Sequence, residues 1–475
     1  MKISHVCRLI TLVLLLTGCG SPPMPNGATV FYDVTVLPMT DSGPQPHQVV
    51  VVVDDTIAAI GPVNEVQLPE EFQRIDGQGL FLLPGLVDMH VHNWLEQDHA
   101  LFLRWGVTTI RNMSGDPRHI RWRDETAAGE RLAPFIVTAS PVLDGDPPVR
   151  PMHRALRSPA DASAAIENAV LGRYDLLKVY SVLRPDVFKA ILEKAKKDRM
   201  HVTGHVPLAV PLENAIAWGL DGVEHFSGFR LAMQAPGSPL TQLSYEEWRD
   251  LPRDDLARLV REHLDPQRFD EVVAMNCERG VWNTPTLLAV ENILDPPDEV
   301  AGLSIDEAKR FVPQMLHALW EPAELSTEER LALEDARHWQ KRFAAGLEEA
   351  GCGVLLGTDS PGPFTVHGAS VHNELEQLVN AGLSPLEALT AATSRPARQL
   401  LNDSEIGRVV VGRNADLLLL EANPLEDIRA TREIHGVMVQ GRWLDRSTLD
   451  RMAEKSARFF AKNPRLNPFR PVEIR

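Results

Sequence analysis

Eight short apolar segments alternate with helix-like segments through the middle of this 475-residue chain. Apolar strands that alternate with helices favour a parallel sheet covered by helices, and eight such repeats predict an α/β fold of the (β/α)8 or TIM-barrel type. The predicted strands lie at 86–92, 107–112, 134–139, 176–180, 201–206, 222–225, 281–284 and 353–358. Residues 85–403 are therefore predicted to form the barrel.

Two shorter β-rich stretches flank the predicted barrel, at 28–84 and 404–446. Neither stretch is large enough to bury a core alone, so we predict one small composite β-sandwich domain formed by both ends of the chain. A tail follows at 447–475. We expect this tail to form a basic helix that covers the small domain. Two long connections, 226–268 and 287–336, are predicted to be insertions over the active site.

The N-terminus has the pattern of a processing segment rather than of a folded element. Basic residues precede an apolar run at 9–16, which is too short to span a bilayer, and the run ends in Leu-Thr-Gly-Cys19. This ending resembles a bacterial lipoprotein box. It predicts a signal peptide at 1–18, lipidation of Cys19, a tether at 19–27 and an outer-membrane-anchored periplasmic lipoprotein. The alternative is an ordinary signal peptide with an incidental cysteine.

The net charge and the cysteine content restrict the partners and the cross-links that this chain can have. The formal net charge of −17 argues against nucleic-acid binding, which rests on a positive surface, so the expected partner is a small molecule or a dipeptide. Contact with a membrane is expected only through the lipid anchor, and a homo-oligomeric state is left open. Cys277 and Cys352 are expected to be small buried hydrophobes, although one disulfide between them stays open in an oxidising compartment.

Polar side chains stand at the carboxyl ends of the predicted strands, where barrel enzymes place their active sites. His90 and His92 are two residues apart in a strand, so both imidazoles point to the same face, about 6.6 Å apart. His205, His225 and Asp359 follow later strands. Nitrogen and oxygen ligands together favour zinc or a neighbouring divalent ion.

Lys178 is an unexpected member of this set, because an ammonium group beside divalent cations would be repelled. A buried lysine can lose its proton, and the neutral amine can then add carbon dioxide and become a carbamate that bridges two metal ions. The alternative is a lysine paired with a nearby acid such as Asp175.

Together these residues resemble the amidohydrolase superfamily, nearest to the group of imidazolonepropionase-like proteins and Xaa-Pro dipeptidases. The resemblance covers nearly the whole mature chain and is carried by LPGLVDMHVH at 83–92, GVTT at 106–109, AAT at 391–393 and GRNADL at 412–417. It implies that His90, His92 and Asp359 bind one metal ion, that His205 and His225 bind a second, and that carbamylated Lys178 bridges them. Imidazolonepropionase lacks this lysine and uses one metal. Asn112, where relatives usually have aspartate, and the tail depart from the family pattern.

The resemblance also implies a mechanism. A hydroxide that bridges two metal ions would attack an amide carbonyl, Asp359 would accept and return the proton, and Tyr180 or His153 would stabilise the oxyanion. Tyr180 and Arg150 are expected to contact substrate, with Arg150 pairing with a carboxylate. The predicted function is hydrolysis of a dipeptide or an N-acyl amino acid. The alternatives are a cyclic-amide hydrolase and a ligand-binding lipoprotein with an inactive barrel.

Overall fold

The computed structural model describes residues 27–66, 68, 72–401 and 406–469. The predicted signal peptide, Cys19 and nearly all of the tether lie outside these residues. The strands are β1 Thr29–Val36, β2 Gln45–Val53, β3 Thr56–Pro62, β4 Gln73–Asp76, β5 Phe81–Pro84, β6 Leu86–Val91, β7 Val107–Asn112, β8 Phe135–Thr138, β9 Leu143–Asp144, β10 Arg154–Ala155, β11 Leu176–Val179, β12 His201–Gly204, β13 Gly222–Glu224, β14 Trp282–Thr284, β15 Glu299–Val300, β16 Leu303–Ser304, β17 Leu417–Leu420, β18 Ile434–Val439 and β19 Arg442–Asp445.

The helices fall mainly between the central strands. They are α1 Asp98–Arg104, α2 Pro117–Ala127, α3 Pro159–Leu171, α4 Pro185–Asp198, α5 Leu212–Trp218, α6 Phe229–Ala232, α7 Tyr245–Asp250, α8 Arg253–Glu262, α9 Phe269–Arg279, α10 Leu288–Leu294, α11 Ile305–Lys309, α12 Thr327–Glu349, α13 Ser370–Asn380, α14 Pro385–Ala391, α15 Ser394–Leu401 and α16 Arg446–Lys462. Short 3-10 helices cover Pro239–Gln242, Pro266–Arg268, Gln314–Trp320 and Ile428–Arg432. No helix in the described part of the chain combines the length and apolar character needed to cross a membrane.

Both ends of the chain contribute to one eight-stranded sheet, in the order β19-β18-β17-β5-β1-β2-β3 with β4 against β1. The antiparallel pairing of β5 with β17, in which Leu82 lies opposite Leu419, joins the two halves. Both of these leucines are buried in the core of the sheet, together with Phe31 and Val50. The two β-rich ends therefore lie in a single composite sheet.

The central strands form two parallel groups, β6-β7-β8 and β10-β9-β11-β12-β13-β14. The predicted strand at 353–358 is the exception, because the structure has no regular strand there. Leu355 N donates to Asn283 O next to it, but Leu356 N donates to Ala391 O in a helix, which interrupts the ladder. The coarse result is a TIM-barrel-like α/β fold with extended segments that meet at one end.

Helix boundaries follow local sequence signals. The apolar spacing of residues 185–197 predicts a helix, and the segment forms α4, whose first helical residue is Pro185. The spacing of residues 385–400 predicts one helix, but the structure has two, α14 and α15, separated at Ala392 and Thr393. Thr393 Oγ1 donates to Leu389 O, and Gly407 packs tightly against the Thr393 carbonyl, so the chain turns there.

The expectation that Cys277 and Cys352 are separate buried hydrophobes is wrong. They form a disulfide that joins the last turn of α9 to the segment after α12, with their Cα atoms 5.4 Å apart. Each helix packs against the other, which brings the two positions within bonding range although 75 residues separate them.

The tail forms α16, which packs on α1 and against β18 and β19. Its buried side includes Leu449, Ala453 and Phe460, and Ser456 Oγ donates a hydrogen bond to Gln97 O. The helix therefore covers an edge of the composite sheet and also holds the first helix of the central fold.

Candidate metal centre

Three side chains from separate strand ends come together in one cluster. The ligand atoms of His90, His225 and Asp359 all lie within 4.8 Å of one another. His90 belongs to β6, His225 follows β13 directly, and Asp359 follows the extended segment at 353–358. His225 and Asp359 also have positive φ angles, 61° and 55°, a strained conformation for non-glycine residues that recurs at active sites.

His92 joins the cluster through Asp359. The Asp359 Oδ1 atom lies 3.0 Å from His92 Nε2 and 3.3 Å from His90 Nε2. Burial raises the pKa of Asp359, but the neighbouring His90 and His92 more than offset this and hold the pKa well below its usual range. The carboxylate is therefore ionised, as a metal ligand has to be.

His205 and His225 form the second pair of imidazoles, with ring centroids 5.0 Å apart. The Thr286 hydroxyl donates to Pro285 O, so its oxygen accepts a short hydrogen bond from His225 Nδ1. This contact leaves Nε2 of His225 without a proton and able to bind a metal ion. Nδ1 of His205 is likewise occupied, by Ser181 Oγ at 2.8 Å.

Lys178 is 1% exposed and lies close enough to His205 and His225 for its charge to lower the pKa of each imidazole. Its Nζ atom has no hydrogen-bond partner among the described residues. Asp175 does not pair with it, because that carboxylate is held by Arg123 at 2.6 Å. Burial lowers the pKa of Lys178 to about 8. A buried amine without a hydrogen-bond partner, near the imidazoles of His90, His205 and His225 and the carboxylate of Asp359, fits a site that holds divalent ions.

A buried network behind His90 contains two residues that the sequence analysis did not select. Glu224, which is 1% exposed, accepts hydrogen bonds from His90 Nδ1 at 2.8 Å, Arg111 Nη2 at 2.7 Å and Thr203 Oγ1 at 2.6 Å. Burial raises the pKa of Glu224, but Arg111 outweighs it and holds the pKa well below normal. The carboxylate therefore fixes the His90 proton on Nδ1 and leaves Nε2 free. An arginine inside an apolar strand was the available sequence signal.

The remaining predicted residues form a polar wall next to His205. The Tyr180 ring stacks on His205 with centroids 4.1 Å apart and contacts His153 at 4.6 Å. His153 Nδ1 donates to the buried Asp144 carboxylate at 3.1 Å. Burial raises the pKa of the Tyr180 phenol, and the guanidinium of the exposed Arg150 lies close enough to offset part of this rise. All the predicted site residues in the described part of the chain are thus at one end of the parallel strands.

Comparison with known proteins gives an independent line of evidence. The sequence model of the amidohydrolase family matches residues 81–444. An imidazolonepropionase of Rubrobacter xylanophilus is 44% identical over 80 residues, 17% of this chain and 19% of that protein. An ochratoxinase of Aspergillus niger is 37% identical over 90 residues, 18% of each chain. A deacetylase of Agrobacterium fabrum is 51% identical over 41 residues, 9% of this chain and 10% of that protein. The chain therefore matches less than a fifth of the length of these relatives.

Solved structures match over far more of the chain. A bottromycin amidohydrolase superposes with a TM-score of 0.71 and 26% identity, covering 93% of this chain and 91% of that one. A protein described as a prolidase, from Bifidobacterium longum, superposes with a TM-score of 0.66 and 23% identity, covering 90% of this chain and 99% of that one. The second likeness is evidence for the fold alone.

Proposed function

Because the chain belongs to the amidohydrolase family, we propose that it is a metal-dependent hydrolase that cleaves the amide C–N bond of a dipeptide or an N-acyl amino acid. The observation that carries the proposal is the convergence of His90, His225 and Asp359 within 4.8 Å, beside the unpartnered amine of Lys178. An inactive ligand-binding barrel would have no reason to bury that amine without a partner.

The proposed metal ligands fall into two groups. His90, His92 and Asp359 would hold one divalent ion, and His205 and His225 would hold a second; zinc fits this nitrogen and oxygen set. Lys178 would contribute as a carbamate: its neutral Nζ forms a bond to the carbon of CO2, and the amine releases one proton. Divalent ions bound there supply a water of lowered pKa and polarise the scissile carbonyl.

The residues around the metal centre have separate proposed tasks. Asp359 accepts a proton from the attacking water on a carboxylate oxygen and delivers it to the leaving nitrogen as the C–N bond breaks. The Tyr180 hydroxyl donates a hydrogen bond to the carbonyl oxygen as it gains negative charge. His153 would stabilise the same oxygen from Nε2 as the doubly protonated ring, because the Nδ1 proton is donated to Asp144. Arg150 is the residue proposed to pair with a substrate carboxylate.

We also propose that the parallel strands close into a (β/α)8 barrel at 85–403 and that 28–84 with 404–446 form a β-sandwich domain. The bridge between Ala139 and Leu176 supports closure, because it joins the two parallel groups. On the other side, Met89 N of β6 donates to Leu356 O, which brings segment 353–358 between β6 and β14.

For localisation we propose the bacterial cell envelope, with a lipid on Cys19. The disulfide between Cys277 and Cys352 supports an oxidising compartment, because cytosolic proteins seldom keep disulfides. Expression with the native leader in the presence of a labelled fatty acid tests the anchor. Label in the parent protein and none in Cys19→Ser is the expected result, and equal labelling would contradict it.

A second candidate is a cyclic-amide hydrolase, which the local match to an imidazolonepropionase favours. The two candidates predict different substrates. The deciding experiment incubates zinc-loaded protein with a library of dipeptides, N-acyl amino acids and cyclic amides and measures the free amine or carboxylate released. Cleavage of linear amides is expected; cleavage of cyclic amides alone favours the second candidate, and no cleavage favours the inactive barrel.

Strand β12 offers a matched pair of histidines as a control. His205 follows its carboxyl end at the metal centre, whereas His201 stands at its other end with a side chain 60% exposed. His205→Ala is expected to lose zinc and nearly all turnover, and His201→Ala is expected to keep both. Equal losses in the two variants would show that the effect comes from the strand rather than from the metal centre.

A further inference from the structure

A half-open cavity of about 310 Å³ adjoins the metal centre. His225 lines this cavity and also belongs to the metal cluster. Ser181 lines it as well, and its hydroxyl oxygen contacts His205 Nδ1 at 2.8 Å. The remaining walls come from the loops after β12 and β13 and from helices α6, α8 and α12. A group bound in the cavity would therefore sit next to the reacting atoms.

The cavity is apolar and partly aromatic. Phe226, Trp339 and Phe343 contribute rings that also pack on one another, with centroids 5.7 Å apart for the two phenylalanines and 6.1 Å apart for Trp339 and Phe343. Two alanines on facing helices, Ala257 of α8 and Ala332 of α12, leave the space between them open. This lining favours a large apolar group and offers little to a polar one.

The charged side chains of the cavity do not change this character. Arg230 is neutralised by Asp335, with the two groups 2.7 Å apart. Arg253 is exposed, so its charge is solvated at the outer side of the cavity. The polar wall formed by Tyr180, His153 and Arg150 is a separate group of residues, and none of the three lines the cavity. The metal cluster is thus accompanied by two separate features, the apolar cavity and the exposed guanidinium of Arg150.

We propose that the cavity is the specificity pocket, and that it binds the large apolar side chain of the amino acid whose nitrogen is released. The free carboxylate of the same amino acid would extend to Arg150. The substrate class is therefore N-acyl derivatives and dipeptides whose C-terminal residue has an aromatic or long aliphatic side chain. This inference rests on the proposed amide hydrolysis.

The test compares two substrates that differ only in that side chain, N-acetylphenylalanine and N-acetylglycine. Burial of a phenyl side chain predicts that the zinc-loaded protein favours the former by at least about 10-fold in kcat/KM. Ala257→Phe and Ala332→Phe fill the cavity from opposite helices, and either change should reduce the ratio to within about threefold of unity. Leu331→Phe adds a ring on an exposed position of α12 that does not line the cavity, and should keep the parent ratio.

A parent protein without preference, or filled variants that keep the parent ratio, would overturn the inference. Thermal unfolding of each variant shows whether it is folded, and the two filling positions serve as replacements for each other. Calorimetric titration with phenylalanine, the expected product, separates this inference from the proposed function. If phenylalanine binds, binding is lost in Ala257→Phe and kept in Leu331→Phe, and no substrate is hydrolysed, then only the proposed hydrolase function is contradicted. If N-acetylglycine is hydrolysed but phenylalanine does not bind, then only the proposed specificity pocket is contradicted.

Discussion

Replacement of Glu224 by glutamine tests how the metal ligand His90 is held. The carboxylate accepts hydrogen bonds from Arg111, Thr203 and His90 Nδ1. Glutamine keeps one oxygen for Arg111 and Thr203, but its nitrogen can only donate, so His90 Nδ1 must give up its proton. The neutral ring then has its proton on Nε2, the nitrogen 3.3 Å from Asp359, and that nitrogen no longer binds a metal ion.

The expected magnitudes follow from the contacts. Loss of a partner that orients a metal-binding histidine lowers metal affinity about 10- to 100-fold. Removal of one member of a buried ion pair costs about 3–5 kcal/mol, because the other charge is left without compensation. Since the glutamine oxygen still accepts from Arg111, we expect a decrease of about 3 kcal/mol in the free energy of unfolding of the metal-free protein, at the lower end of this range.

The assay is a calorimetric zinc titration of metal-stripped protein, with denaturant unfolding measured in parallel. Glu348→Gln is the matched control, because Glu348 is 12% exposed and accepts two hydrogen bonds from Arg395, at 3.0 and 2.7 Å, outside the metal centre. It should lose stability and keep zinc affinity. Zinc affinity in Glu224→Gln within about twofold of the parent, against the 10- to 100-fold expected, would refute the assigned tautomer.

Three further predictions concern the metal bridge, the proton transfer and the disulfide. The purified protein should contain close to two divalent ions per chain, and intact mass should show a carboxylated Lys178. Lys178→Ala should lose the more weakly bound ion and most activity, and a small carboxylic acid should partly restore the activity. Active protein with one ion and an unmodified lysine would contradict the bridging role of Lys178. Asp359→Asn should retain most metal and lower turnover at least about 10²-fold, so near-parent turnover would exclude its role as proton carrier. Opening the disulfide with Cys277→Ser and Cys352→Ser should cost up to about 4.5 kcal/mol of unfolding free energy for a 75-residue loop, measured by denaturant titration, and an unchanged midpoint would show that the bridge is dispensable.

Local periodicity accounts for much of what the sequence predicts about the site. The two-residue period of a strand predicts that His90 and His92 share a face, and their rings lie 5.5 Å apart. His205 and His225 each directly follow a short parallel strand, β12 and β13. Because parallel strands end at the same edge, residues at their carboxyl ends meet without any further information.

Long-range pairing accounts for what the sequence analysis missed. Arg111 and Glu224 are 113 residues apart, and nothing near either residue identifies the other as its partner. The sequence left the pairing of Cys277 and Cys352 open, because only the packing of α9 against α12 brings them together. The apolar cavity depends on how α8 packs against α12, and the mutual placement of these two helices is set by tertiary packing rather than by local sequence.

The pairing of β5 with β17 has a consequence for the nascent chain, because β17 is synthesised long after β5. At about 5–20 residues per second, the ribosome makes β17 roughly 20–70 s after β5. For that interval β5 has an open edge with the apolar Leu82 and Leu83, which is a template for pairing with other chains. Until β17 is made, protection of this edge would prevent its pairing with another chain. A product truncated before residue 417 keeps the edge open permanently, which makes it a target for proteolysis rather than a smaller enzyme.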